Sequence, residues 1–64
     1  MLKYAKVILT KVSFDARLFE KELRKAIKTL MKHERTELEV WCYETFGNRY
    51  KPVISRCFSQ SVLS

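Results

Sequence analysis

Residues 16–33 carry the most regular alternation of apolar and polar positions in the chain. Apolar side chains recur there every three or four residues and form one stripe: Phe19, Leu23, Ala26, Ile27 and Leu30. This spacing is typical of one face of an α-helix. Asp15 stands just before the stripe, where its carboxylate can accept hydrogen bonds from the free N–H groups of a first turn. The pattern therefore predicts a helix over 16–33 that is capped by Asp15.

A shorter amphipathic pattern covers residues 2–12. Its apolar positions follow helical spacing, and lysines and Thr10 occupy the other side: Leu2, Ala5, Ile8, Leu9 and Val12. The pattern favours a helix. Alternate residues in the same segment are also apolar, as in a strand, and the segment is rich in residues that favour strands. A strand is therefore the alternative here.

Two further helical segments are predicted between Thr36 and residue 58. Thr36 and Glu39 form a capping-box pattern, which marks a helix start, and Gly47 could supply the left-handed residue that ends many helices. Pro52 suits the first turn of a fourth helix. We thus predict an all-α fold, a small bundle of about four short helices.

A mixed α+β fold, with the element order βαββ, is the alternative for the whole chain. Residues 37–43 alternate with a period of two, and Gly47-Asn48 could turn a hairpin that spans residues 37–58. Two details count against the hairpin. Gly-Asn is a weaker hairpin signal than Asn-Gly, and Pro52 would confine its strand to a sheet edge.

The chain of 64 residues is long enough for one domain. We assign residues 1–58 to that domain and expect residues 59–64 to form a frayed tail. The longest apolar run near the start is Val7-Ile8-Leu9, too short for a secretory signal or a membrane span. We expect a cytoplasmic protein that does not bind membranes.

The positive charge is concentrated in the first half of the chain. The net charge is +6, and residues 1–32 hold nine basic and three acidic side chains, whereas the second half is balanced. Six of the cations fall on one side of the helix predicted over 16–33, opposite its apolar stripe: Arg17, Lys21, Arg24, Lys25, Lys28 and Lys32. Such a face could bind nucleic acid or another polyanion through phosphate contacts. It could equally be a solvated helix face.

An aromatic and aliphatic group in the third segment is a second candidate surface. Val40 and Tyr43 lie off the apolar stripe of that segment, next to Trp41. Tyr and Trp are enriched where proteins bind one another. We therefore predict a partner-binding patch formed by Val40, Trp41 and Tyr43, with another protein or a second copy of this chain as the partner.

Residues suited to catalysis or metal binding are sparse. His33 is the single histidine, and it falls at the predicted end of the second helix. Cys42 and Cys57 lack the spacing of a metal or redox motif and are expected to be buried thiols. We expect no metal, no cofactor and no enzymatic activity. The sequence favours a non-enzymatic interaction or adaptor module, with nonspecific nucleic-acid binding as the alternative.

Overall fold

A computed structural model describes the backbone of residues 2–63 and the side chains of residues 2–59. It contains three helices, which we number α1 (Leu2–Lys11), α2 (Ala16–Thr29) and α3 (Lys32–Leu63). No strand occurs within the described backbone. The all-α prediction is confirmed, and the βαββ alternative is wrong. The predicted number of about four helices is corrected to three, because the third and fourth segments belong to one helix.

Asp15 caps α2 as predicted. Its carboxylate accepts hydrogen bonds from the backbone N–H groups of Arg17, at 2.9 Å, and Leu18, at 3.3 Å. The helix stops at Thr29, four residues before the predicted end, because Leu30 is extended (φ −78°, ψ 152°) while its N–H still bonds to the carbonyl of Ala26. The apolar periodicity runs on past this end because the Leu30 side chain is buried.

The start of α3 differs from the capping box predicted at Thr36. The helix begins at Lys32, and the Glu34 carboxylate accepts a hydrogen bond from the N–H of Met31 at 3.0 Å. That contact is the half of a capping box in which the third helical residue reaches back to the cap. Thr36 lies inside the helix, with its hydroxyl donating to the carbonyl of Lys32. His33 accordingly lies in the first turn of α3 and not at the end of α2.

Helix α3 bends at Tyr50 and does not end at Gly47. Within the described backbone no glycine has a positive φ, so Gly47 does not adopt the predicted left-handed conformation. Tyr50 departs from helical geometry (φ −121°, ψ 23°), and Pro52 follows. A proline removes one backbone donor and crowds the preceding turn. A straight helix of 32 residues would measure about 48 Å, whereas the longest dimension of the molecule is 26 Å.

The bend divides α3 into an N-terminal arm (residues 32–49) and a C-terminal arm (residues 51–63), and both arms contribute to one core. Leu38 and Cys42 are buried from the first arm, and Ile54 and Cys57 from the second. Helices α1 and α2 supply the rest of the cluster, mainly through Leu9, Phe19, Leu23, Ile27 and Leu30. Among the three helices, α2 and α3 contact each other most extensively.

Phe19 and Tyr50 link the bend to α2. Their rings stack with centroids 4.6 Å apart, and Phe46 packs edge-on against Phe19 at 5.0 Å. The Tyr50 hydroxyl donates a hydrogen bond to the carbonyl of Ser13, in the connection between α1 and α2. The residue at the bend is therefore fixed both by ring packing and by a polar contact 37 positions away in sequence.

The helical backbone continues to Leu63, so it runs through most of the segment that we expected to be a tail. Ser64 lies outside the described residues, and fraying of residues 59–64 stays a prediction. Among the residues that were described, no helix is both long enough and apolar enough to cross a bilayer.

Candidate partner-binding surfaces

Five of the six predicted cations lie exposed on α2: Arg17, Lys21, Arg24, Lys25 and Lys28. The sixth, Lys32, is also exposed but is the first residue of α3. Its predicted place on the same helix is wrong, because α2 ends at Thr29. The basic face of α2 therefore consists of five residues, with Lys32 beyond the connection to α3.

Arg24 differs from the other cations because it is already paired. Glu20 accepts from Arg24 at 2.9 Å and, through its other oxygen, from Arg56 on the C-terminal arm at 3.0 Å. The Glu20 carboxylate thus pairs with one guanidinium on its own helix and with one on the C-terminal arm of α3. All three side chains are partly exposed, so the pairs contribute little stability.

The four remaining cations on α2 have no ion-pair partner within the described part of the chain: Arg17, Lys21, Lys25 and Lys28. Of the acidic residues before α3, Asp15 is engaged by the backbone of α2 and Glu20 by the two arginines. Only Glu22 remains near these cations on the same helix. The outer side of α2 consequently carries a positive potential that Glu22 offsets only in part.

The structure separates the members of the predicted patch on α3. Val40 is 54% exposed, whereas Trp41 and Tyr43 are half-buried and pack against the core. At 100° per residue, Trp41 and Tyr43 lie about 160° apart around the helix, with Val40 between them on the outer side. Val40 therefore provides most of the exposed apolar surface of this patch.

Trp41 is held in place by α1 and by its own helix. The Lys6 ammonium lies 5.7 Å from the centre of the indole, a cation–π contact, and the Phe46 ring meets the indole edge-on at 5.4 Å. These contacts cover part of the ring that a partner would otherwise reach. Trp41 joins α1 to the N-terminal arm and is only partly available for binding.

A groove between α1 and α2 was not predicted from the sequence. It has a volume of about 310 Å³ and is lined from α1 by Tyr4, Ala5 and Ile8. Its other side consists of Glu22, Lys25, Ala26 and Thr29 on α2, together with Leu30 just after the helix. The signal available in the sequence was the pair of small residues, Ala5 and Ala26, since alanines on two neighbouring helices leave space that larger side chains would fill. Whether Ala5 and Ala26 face each other depends on how the two helices pack.

The two cysteines are not suited to nucleophilic chemistry. Burial, with smaller contributions from Cys57 and Glu39, raises the pKa of the Cys42 thiol to about 12. Burial also raises the pKa of Cys57, although a hydrogen bond with Arg24 opposes the shift. Both thiols are therefore protonated at neutral pH, whereas a reactive cysteine needs its thiolate. Both are free and buried.

No group of three or more His, Cys, Asp or Glu side chains within the described residues could hold a metal ion. The surfaces of the molecule are thus its distinguishing features: a basic side of α2, an apolar groove beside it and an exposed valine on α3. The fold and these surfaces define a small three-helix domain. Neither a protein-family model, nor a curated protein sequence, nor a solved structure matches the chain.

Proposed function

We propose that this chain is a non-enzymatic interaction or adaptor module that binds another protein. The observation that carries the proposal is the exposure of large apolar side chains on a very small domain. Six of them are between 39% and 75% exposed: Tyr4, Val7, Phe14, Leu18, Met31 and Val40. Single exposed apolar residues are ordinary. Here, however, Tyr4 borders an apolar groove, and the set spans all three helices.

The buried thiols support a cytoplasmic location as part of the same proposal. Cys42 and Cys57 are reduced and enclosed by the core. Free cysteines are the usual state in a reducing compartment, whereas small secreted domains generally use disulfides for stability.

Site-specific crosslinking in cells tests whether the domain binds a partner through an apolar surface. A photoreactive residue replaces Tyr4, Val40 or, as a control, the exposed Lys51 on the C-terminal arm. We expect a discrete adduct from position 4 or 40 and none from position 51. Sedimentation of the purified chain up to millimolar concentration shows whether the partner is a second copy. A strict monomer that gives no discrete adduct from position 4 or 40 contradicts the proposal.

Nonspecific nucleic-acid binding is the second candidate, and the unpaired cations of α2 favour it. Arg17, Lys21, Lys25 and Lys28 could each contact a phosphate, with Lys32 and Arg24 alongside. Binding of this kind depends steeply on salt, with a logarithmic slope of about −0.9 for each phosphate neutralised. It would be independent of base sequence, because Arg and Lys on an exposed face position the backbone without reading base edges.

A titration with a generic duplex at low salt tests the second candidate. We expect the six-residue Gln variant, with Arg17, Lys21, Arg24, Lys25, Lys28 and Lys32 all changed, to lose binding. The control for net charge removes six other cations by the same change to Gln: Lys3, Lys11, Arg35, Arg49, Lys51 and Arg56. No binding by the native chain, or equal binding by the six-residue variant, contradicts this candidate.

A further inference from the structure

We infer that the groove between α1 and α2 binds an acidic amphipathic segment of a partner protein. The inference rests on the proposed interaction function and adds the surface and the chemistry of the partner. Its starting point is the composition of the groove. Ala5, Ile8, Ala26 and Leu30 supply apolar lining, and the Tyr4 ring stands at its edge, 66% exposed.

The dimensions of the groove suit a short helix. Its lining on α2 runs from Glu22 to Leu30 in steps of three and four residues, which is about 12 Å along the helix axis. A partner helix presents its apolar anchors at the same spacing, at i, i+3 or i+4, and i+7. A volume of about 310 Å³ is at the lower limit for a small-molecule site. It fits a few anchoring side chains better than a large cofactor.

The charged side chains beside the groove determine which charges a partner segment should carry next to its apolar anchors. Lys25 lines the groove, and Lys21 and Lys28 lie one turn to either side on the exposed face of α2. None of these three lysines has an ion-pair partner in the described structure. Acidic side chains beside the apolar anchors of a partner would meet all three. Complementary charge of this kind raises the association rate and rejects basic partners.

Glu22 argues for a peptide and against nucleic acid in the groove. Its carboxylate lines the same space as Lys25. A phosphate backbone carries a negative charge at every nucleotide and would be repelled there. A peptide can place a basic or amide side chain opposite Glu22 and acidic residues opposite the lysines. The apolar lining likewise matches leucine-type anchors, whereas a phosphate backbone leaves it uncovered.

The test uses a labelled 14-residue amphipathic peptide with Leu at the anchor positions and Glu on both flanks. A peptide of the same pattern with Lys in place of Glu, and a generic DNA duplex, are the comparison ligands. Fluorescence anisotropy at physiological salt gives the affinities, and amide chemical shifts locate the bound ligand. We expect only the acidic peptide to bind, with shifts at residues 4–8 and 22–30.

Two variants locate the contact. Lys25→Glu should weaken binding by about tenfold or more, since it replaces attraction by repulsion, and Lys51→Glu is its matched control away from the groove. Tyr4→Glu changes an exposed side chain, so the domain should stay folded, and circular dichroism checks this. It should also weaken binding, whereas Asn48→Glu, at an exposed position of α3 that does not line the groove, should not.

Each contrary outcome has one meaning. If the acidic peptide does not bind, or if amide chemical shifts change only at residues 38–43, the inference that the groove is the binding site is overturned. The interaction function still stands in that case if crosslinks form from position 40. If the duplex binds more tightly than the acidic peptide, and Lys25→Glu weakens the binding of both ligands equally, the inference is overturned in favour of nucleic-acid binding. A strict monomer that gives no crosslink from position 4 or position 40 defeats the proposed function itself.

Discussion

Helix α2 is the more regularly amphipathic of the two long helices, and α2 and α3 acquire their shapes in different ways. The start of α2 is set by Asp15, whose carboxylate bonds to two N–H groups within three residues. The bend of α3 has a local cause in Pro52, but its position in the fold depends on Tyr50, which leaves helical geometry and contacts Phe19 and Ser13, more than 30 residues away. Local chemistry is readable from a short window of sequence, whereas a contact between distant segments is not.

The largest effect expected from breaking this arrangement follows Phe19→Ala. Phe19 is fully buried and contacts the rings of Phe46 and Tyr50, on either side of the bend. Removing such a ring costs about 3–5 kcal/mol, close to the whole stability expected for a chain of this size. Chemical denaturation should show a largely unfolded variant. Leu18→Ala, one residue earlier and 39% exposed, is the control and should stay folded.

High pH should destabilise the N-terminal arm through Cys42. The ordinary thiol pKa of 9.0 describes the unfolded chain, and burial raises the folded value to about 12. As the pH rises past 9.0 the unfolded chain loses its proton first, so stability falls until the pH reaches the folded value. The slope is about 1.4 kcal/mol per pH unit. Urea unfolding measured from pH 8 to 11 should show that the free energy of unfolding falls less steeply with pH in Cys42→Ala than in the native chain. Equal slopes in the two proteins would contradict this prediction.

Tyr50→Phe sharpens the comparison because it keeps the ring and removes only the hydroxyl. The carbonyl of Ser13 then loses its donor, at a cost of about 1.5 kcal/mol. The stacked ring should hold the bend, so the helical content stays unchanged. Tyr4→Phe is the matched control at an exposed position, and it should leave the denaturation midpoint in place. A straightened α3 in Tyr50→Phe would show that the hydrogen bond is required for the bend and that ring packing and Pro52 do not maintain it without that bond.

Asp15→Ala tests the local side of the same comparison. The variant loses the cap of α2 and should be about 1 kcal/mol less stable. Asp15→Ser retains an oxygen that can cap and should recover most of that loss. Hydrogen exchange should become faster at the amides of Arg17 and Leu18 and stay unchanged in α3. Faster exchange across α3 would mean that the cap acts on the whole fold.

The smallest effect is expected from Glu20→Gln, which removes the ion pair with Arg24 within α2 and the ion pair with Arg56 on the C-terminal arm. The side chains are partly exposed, so the change should cost about 0.5 kcal/mol or less. Salt at 1 M should reduce even that difference. A loss similar to that of Phe19→Ala would show that these charges, and not the aromatic contacts, hold the C-terminal arm.

The candidate surfaces, like the two helices, differ in whether they follow from local sequence or from contacts between distant segments. The exposed cations of α2 follow from helical periodicity alone, so the sequence is sufficient to predict five of them. The predicted position of Lys32 is wrong because apolar spacing continues through Leu30, although the backbone turns there to bury that side chain. The groove beside Lys25 was missed because it requires Ala5 and Ala26 to face each other across two helices. The spacing of residues within one helix carries no information about which residues of α1 and α2 face each other.

The sequence by itself favoured a helical chain over the βαββ alternative, and it determined where α2 begins and that positive charge gathers in the first half. These properties depend on neighbouring residues: apolar spacing, one capping carboxylate and the identity of charged side chains. Only the tertiary structure decided that the last two segments form one bent helix and that a groove opens between α1 and α2. Both arise because buried rings and small residues from distant parts of the chain must share one core, and that packing is settled only when the segments meet.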